Sequence, residues 1–500
     1  MMKKKSFILI LMISILFLFS TGCSVVGPDY KKQEEQKLPK NWDNNLTKSN
    51  ENIQEWWKSF NDEILNTLVK KAYEQNLDLR TAGLRILQSR AALGISKGLT
   101  YPQYQTFSGN LAAVRAGGSS FTAVGTSFDV GWEMDVWGKY ARGIESSEAT
   151  FYASIASYDE ILVSIISEVA RNYINYTTAK ERIAFAKRNI EIQTRVTKMT
   201  EVQFNAGNVS ELDMQQSRTQ LYTTMSILPA LRLTQIKARN AIAILLGILP
   251  QDVEKILIVP ETKSTDFIPT ITLSDDFKID ANLVKRRPDL QIAELQAQAQ
   301  SARIGAAEAE LYPHFSLFGS VGFSSSNAGG SWVSTGDAIG ISAGPSFSWN
   351  IFQYGRIKNQ VRIQDAKFQE TLTNYNKKVL QAVGEVSNAL NGYRLTKEQL
   401  KLNKQAIEAT TRAYTLSVTQ YENGLVTYQR LLSTVESLTR NEDAYAQIKG
   451  NIAIQVIALY KALGGSFNIT QPIYLHPKDL DAINKRGVDW GDYLEGNDVQ

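Results

Sequence analysis

The sequence predicts an α+β protein that is mainly helical and repeats one plan twice: a helix, two strands and a long helical hairpin. Three observations indicate this fold class: landmarks that recur at a constant interval, long stretches without proline, and short segments in which apolar residues alternate. The landmark pairs are Trp132 with Trp349, Gly138 with Gly355, Gly207 with Gly424, and Gly247 with Gly464. Self-similarity across most of a chain is the signature of internal duplication.

The duplication divides the chain into segments. We predict a first structural repeat over residues 56–247 and a second over residues 286–464. Residues 248–285 form a linker between the repeats, and residues 465–500 form a polar tail. We expect both to be equatorial segments, lying beside the repeats.

The long stretches without proline predict the hairpins. Residues 139–205 contain no proline, and a helix of this length spans about 100 Å at ~1.5 Å per residue. Its partner is predicted over residues 210–246, and the second hairpin over residues 356–421 and 427–463. Their apolar stripes are narrow, which is typical of coiled-coil packing. Before the first hairpin, apolar residues recur at helical spacing over residues 62–98 and predict one further helix.

Alternating apolar residues predict four strands. The clearest rows lie in residues 128–136, 315–323 and 339–351, and a less regular row covers residues 101–113. Four strands cannot close a membrane barrel, because the smallest such barrels have about eight. An open sheet in lipid would leave unpaired backbone groups that cost several kcal/mol each. We therefore predict a transmembrane β-barrel of about twelve strands shared between three chains. The alternative is a soluble four-stranded sheet on a helical domain.

The N-terminus predicts export. Basic residues, an apolar core over residues 7–19 and small residues before Cys23 indicate a signal peptide over residues 1–22. Cys23 is the only cysteine, and its position resembles a lipobox, although Ser20 stands where leucine is usual. We predict that Cys23 is acylated and begins a tether over residues 23–55. The alternative is an ordinary cleavage site with an incidental cysteine.

The composition gives no support for an enzyme. The chain has 54 basic and 50 acidic residues, a net charge of +4 and two histidines. This balance gives no reason to propose a nucleic-acid partner. We find no phosphate loop, nucleophile elbow or dinucleotide fingerprint, so we predict no catalytic activity, cofactor or metal site. We interpret His314 as a residue of a helix-to-strand turn.

Several motifs in fixed order resemble the TolC-like outer-membrane efflux factors, and most closely their lipoprotein branch. The motifs are Arg286-Arg287-Pro288-Asp289-Leu290, the segment from Ile304-Gly305 to Tyr312-Pro313, Asp135-Val136-Trp137-Gly138-Lys139 and Leu459-Tyr460-Lys461-Ala462-Leu463-Gly464-Gly465. The resemblance implies that the hairpins of a homotrimer form an α-barrel, which continues the β-barrel from outer-membrane lipid into the periplasm. It also implies a function: the exit duct of a tripartite efflux system, which passively conducts drugs or other small toxic compounds. An inner-membrane transporter of the RND type and a periplasmic adaptor would deliver them.

The two hairpin tips are the candidate partner site. Glycine permits the left-handed conformation that ends many helices, and equivalent glycines stand in both predicted turns. In the resembled family these tips meet the adaptor. We therefore expect the contact to involve Gly207, Val209, Gly424, Leu425 and Val426.

A pore constriction is expected just past the second tip. The resembled family places a carboxylate on the inner wall there, but the most similar position in this chain is Ser433. We hypothesise that Glu436 and Arg430 instead form charge pairs between chains. Two other functions stay open: a duct for type I protein secretion, and a coiled-coil envelope lipoprotein without a lumen.

Overall fold

The computed structural model describes residues 25–32, 54–258, 267–271, 286–328, 330–334, 336–465 and 474–494. The predicted signal peptide and Cys23 lie outside the described residues, as do parts of the predicted tether, linker and tail. The first repeat contains α1 (Glu63–Gln75), α2 (Leu77–Gly98), β1 (Tyr104–Ala116), β2 (Ser119–Met134), α3 (Lys139–Asn205) and α4 (Glu211–Leu246). After α5 (Pro250–Ile256) come α6 (Pro288–Ala309), β3 (His314–Ser326), β4 (Ile339–Ser348), α7 (Arg356–Glu422), α8 (Tyr428–Ala462) and α9 (Pro477–Asn484). Short 3₁₀ helices cover Trp56–Phe60 and Gly491–Leu494.

The long helices agree with the sequence prediction to within a residue or two. Both α3 and α7 have 67 residues, which corresponds to about 100 Å. The return helix α4 begins with a reciprocal capping box, in which the Ser210 side chain accepts from the backbone of Asp213 and the Asp213 carboxylate accepts from Ser210. Such a box satisfies amide groups that the first turn of a helix leaves free. No helix within the described ranges is both long and apolar enough to cross a membrane.

The prediction of one continuous helix over residues 62–98 is wrong, because Asn76 interrupts it. Asn76 has an extended backbone conformation, with ψ at 131°. Its side chain accepts a 2.9 Å hydrogen bond from the Leu79 amide and donates a 2.8 Å bond to the Leu245 carbonyl. The same side chain therefore begins α2 and fixes the break against the end of α4. Apolar periodicity cannot register such a break, since the spacing of buried residues continues across it.

The main core surrounds the first half of α3. Its largest fully buried side chains include Trp56, Tyr158 and Tyr173. The ring of Trp56 stacks on Tyr460 near the end of α8, with centroids 5.3 Å apart. Tyr173 donates to Asp62, whose carboxylate also caps α1. Burying each large apolar side chain contributes about 1.5–3 kcal/mol, so this region is the stable base of the molecule.

The strands form one antiparallel sheet in the order β1-β2-β3-β4. Phe107, Phe128, Val321 and Ile341 lie opposite one another across it. Because side chains alternate between faces, the register gives one mainly apolar face and one mainly polar face, which we call the apolar face and the polar face. The apolar face carries Phe107, Leu111, Val124, Phe128, Val130, Trp132, Phe315, Leu317, Val321, Phe323, Ile339, Ile341, Pro345 and Phe347. The polar face carries Ser108, Gly125, Ser127, Asp129, Ser316, Ser320, Gly322, Ser324, Gly340, Ser342, Gly344 and Ser346.

Two strands do not begin or end where the alternating rows of the sequence predicted. The second strand starts at Ser119 rather than near Phe128, because pairing with β1 continues through a polar stretch. The fourth strand stops at Ser348, short of the predicted Ile351.

The two hairpins stand side by side. Helix α3 packs on both α4 and α8, and α7 packs on α8. The order across the pair is therefore α4-α3-α8-α7, which leaves one flank of α4 and one flank of α7 at the two ends. Helix α6 packs on α3 and α7 near the sheet.

Candidate functional site

The two hairpin tips have the same backbone geometry. Gly207 and Gly424 are both left-handed, with φ of 76° and 69°. The amide that follows each glycine donates a hydrogen bond to the carbonyl five residues earlier in the helix. Asn208 donates to the Gln203 carbonyl, and Leu425 donates to the Gln420 carbonyl. This is the Schellman ending of a helix. The equivalence of the two glycines, predicted from the repeat, is thus present in the structure.

The five predicted contact residues come together at one end of the molecule. Gly207, Val209, Gly424, Leu425 and Val426 all line a groove of about 890 Å³ between the tips. The side chain of Leu425 is 74% exposed, while the two valines are half-buried. Their role in binding a partner stays a prediction.

A small apolar cluster supports the tips. Its buried members are Val196, Tyr421, Tyr428, Leu431 and Val435, from α3, α7 and α8. The rings of Tyr421 and Tyr428 meet edge to face with centroids 6.1 Å apart. Burial raises the pKa of both phenols, so they stay neutral. The cluster holds the two hairpins together directly behind the tips.

The predicted constriction residues do not share one environment. Arg430 and Ser433 are exposed, and the Ser433 hydroxyl donates to the Arg430 carbonyl at 3.0 Å. Glu436 is half-buried and lines a cavity of about 420 Å³ between α3, α4 and α8. Neither Arg430 nor Glu436 has an ion pair among the residues that the structure describes. Pairing between chains stays a prediction.

A charged interface joins α3 to α8, and the sequence analysis missed it. Arg182 makes two hydrogen bonds to Asp443, at 2.7 and 3.1 Å. The carboxylate of Glu442 is buried and accepts from Asn189 at 2.9 Å and from Arg188. The partners come from opposite halves of the chain, so no local spacing could have revealed them.

The most deeply buried pair of this interface also holds part of the predicted linker. The ammonium of Lys449 lies 3.4 Å from the Glu181 carboxylate, and both residues are buried. Glu181 also accepts from the amides of Phe267 and Ile268 at 3.0 and 3.3 Å. Lys180 lies over the Phe267 ring at 4.5 Å. The described part of the linker is thus fixed against the hairpin interface.

Charged residues also join the sheet to the helices. The two ring nitrogens of His314 lie 2.8 Å from Glu133 and 3.4 Å from Glu310. Lys139, at the start of α3, forms a 2.7 Å pair with Glu310. The Tyr140 hydroxyl donates to Glu133 at 3.0 Å. His314 occupies the first position of β3, beside the helix-to-strand turn that the sequence predicted.

The described residues just after Cys23 are clamped at this junction. The Arg142 guanidinium donates to the Gly27 carbonyl at 3.2 Å and to the Asp29 carboxylate at 2.8 Å. A Cβ on Gly27 would lie only 2.3 Å from the Cα of Gly305 in α6. Residues 25–29 therefore lie in a groove that is wide enough only because Gly27 and Gly305 have no side chains. Across the described ranges, no group of three or more His, Cys, Asp or Glu residues could hold a metal ion.

Long paired hairpins that carry a sheet with one mainly apolar face match the architecture that the sequence predicted for an outer-membrane channel. The chain belongs to the outer membrane efflux protein family, whose model matches residues 68–248 and 266–465. It is 26% identical over 459 residues to nodulation protein T of Rhizobium leguminosarum bv. trifolii, covering 90% of this chain and 96% of the relative. It is 25% identical over 468 residues to the cation efflux system protein CusC of Escherichia coli O157:H7, covering 89% and 96%.

A solved structure shows the same fold. The outer-membrane channel OprN is 29% identical and has a TM-score of 0.79, covering 88% of this chain and 99% of OprN. Together with the family model, this likeness confirms the predicted family resemblance, the mainly helical α+β fold, the outer-membrane location and the function as an efflux channel.

Proposed function

We propose that three copies of the chain assemble into the exit duct of a tripartite efflux system, with a β-barrel in the outer membrane and an α-barrel in the periplasm. The observation that carries this proposal is the sheet, which has one mainly apolar face and two open edges. Within the described residues, β1 and β4 each pair with a neighbour on one side only. Unpaired backbone groups in lipid cost several kcal/mol each, so these edges must pair with other copies.

Three copies supply about twelve strands, an even number that closes, whereas one copy has too few. The helices support the same closure. The outermost helices, α4 and α7, expose large apolar side chains: Tyr222, Met225, Leu233 and Ile236 on α4, and Ile363, Leu380, Leu395, Leu402 and Leu416 on α7. Contact between α4 of one copy and α7 of the next is head-to-tail, and such contacts generate rings.

The duct works with two partners. The exposed groove between the tips is suited to a periplasmic adaptor, which connects the duct to an inner-membrane transporter of the RND type. Acylation of Cys23 anchors the N-terminus in outer-membrane lipid, just ahead of the clamped residues 25–29. The duct itself is passive and conducts drugs or other small toxic compounds.

The native mass of the detergent-solubilised protein tests the assembly. Light scattering corrected for bound detergent should give three chains. A folded monomer would contradict the shared barrel. A photo-cross-linker at Val426 should then capture the adaptor, while one at the exposed Tyr101 beside the sheet should not. Failure of Val426 to capture it would contradict the tip contact.

A further inference from the structure

The polar face of the sheet carries one isolated carboxylate, at Asp129. We propose that Asp129 makes the sheet-lined part of the duct selective for cations. This inference rests on the proposed function, because the polar face borders the lumen only if three copies close with their apolar faces in lipid.

Serine hydroxyls hold the Asp129 carboxylate in place. It accepts a 2.6 Å hydrogen bond from Ser320 on β3 and a 2.8 Å bond from Ser127 on its own strand. Ser127 in turn lies 2.9 Å from Ser108 on β1, oxygen to oxygen. The carboxylate is thus the centre of a network of hydrogen-bonded serine hydroxyl groups that crosses three strands. Hydrogen bonds from neutral donors fix a carboxylate without cancelling its charge.

The surroundings of Asp129 leave its charge uncompensated. Most of its neighbours on the polar face are serine and glycine. The other ionisable acidic and basic side chains on this face of the described strands are Glu133 and His314, which contact each other at the base of the sheet. Glu133 also has Lys139 within 3.6 Å. Asp129 forms no ion pair with any residue in the described part of the chain.

Three-fold assembly places three such carboxylates at one level of the lumen. Rings of acidic side chains favour cations in channels. The screening length is ~10 Å at 0.1 M salt and ~30 Å at 0.01 M, so the ring acts most strongly at low ionic strength. Selectivity should therefore increase as the salt is diluted.

Reversal potentials across planar bilayers test this role, with KCl at about 0.1 M on one side and 0.01 M on the other, where screening is weak. The wild-type channel should give a potential of the sign expected for K⁺ passage. Asp129→Asn should move the reversal potential towards zero. Asp129→Lys should move it further, towards the sign expected for Cl⁻ passage, and Asp129→Glu should retain the wild-type value. The matched control is Asp337→Asn, which removes an exposed carboxylate from the β3–β4 connection.

The outcomes separate the two proposals. Wild-type conductance with a reversal potential that neither Asp129→Asn nor Asp129→Lys changes would overturn the selectivity role and leave the duct intact. A wild-type trimer without any conductance would overturn the duct, and the selectivity role with it. An equal shift in Asp337→Asn would also contradict the assignment, because selectivity would then not be specific to Asp129.

Discussion

The ammonium group of Lys449 lies 3.4 Å from the buried carboxylate of Glu181, 268 positions away in the chain. This pair joins the hairpin of the first repeat to that of the second, where the linker also packs. It is the most buried ion pair that the structure describes between α3 and α8. The two repeats are therefore held together by charge as well as by their shared apolar core.

Lys449→Met should strongly destabilise the protein. The substitution removes the ammonium group that lies 3.4 Å from the buried Glu181 carboxylate, and breaking a buried pair typically costs about 3–5 kcal/mol. Thermal unfolding in detergent should show a clearly lower Tm. The control is Lys485→Met, which removes the exposed pair with Asp481 and should cost only about 0–1 kcal/mol. Equal effects of the two substitutions would show that the buried pair contributes nothing special.

Stability should depend on pH through Asp159. Burial raises the pKa of this carboxyl from 3.8 to about 6. The folded state therefore binds its proton more tightly than the unfolded state, so the free energy of unfolding falls as the pH rises between those two values. We expect Asp159→Asn to raise the Tm at about pH 7.5 and to leave it unchanged below the ordinary carboxyl pKa of ~3.9.

The neighbouring residue supplies the control for this prediction. Glu160 is exposed, so Glu160→Gln should change the Tm little at either pH. If Asp159→Asn had the same effect at acidic and neutral pH, the change would come from packing rather than from the charge.

Gly27→Ala should release the N-terminal segment. Gly27 has a φ of 89°, and an added Cβ would collide with Gly305. The segment must then move away from Arg142, and trypsin should cleave after Lys31 or Lys32 faster than in the wild type. Gly118→Ala is the matched control, because its φ is similar, 83°, but nothing lies near the added carbon. Unchanged cleavage in Gly27→Ala would show that the close contact does not hold the segment.

Leu425→Asp should weaken efflux without disturbing assembly. Leu425 is largely exposed at the tip groove, so a charge there costs the chain little but would oppose the proposed apolar contact with an adaptor. Drug resistance should fall while the native mass of the detergent-solubilised protein stays constant. Val488→Asp, which introduces a charge at an exposed apolar position of the tail, should retain resistance. Full resistance in Leu425→Asp would argue against this residue as part of the adaptor contact.

Local patterns were sufficient to predict most of the regular elements. The 67-residue helices α3 and α7 were recognisable from their lack of proline and their apolar stripes, because hydrogen bonds within a helix are local. The alternating rows predicted the strands because successive side chains of a strand point to opposite faces, and the repeat interval made the two tip glycines equivalent. The break at Asn76 was missed, because its cause is a contact with Leu245 in another helix.

The sequence by itself determined the fold class, the four strands and the hairpins with their tips. These depend on residue spacing and backbone preference, which act over a few positions. Only the tertiary structure decided that Glu181 meets Lys449, that Arg142 holds residues 25–29, and that Asp129 is isolated among serines. Those arrangements depend on side chains that folding brings together from distant positions, and no local pattern records such contacts.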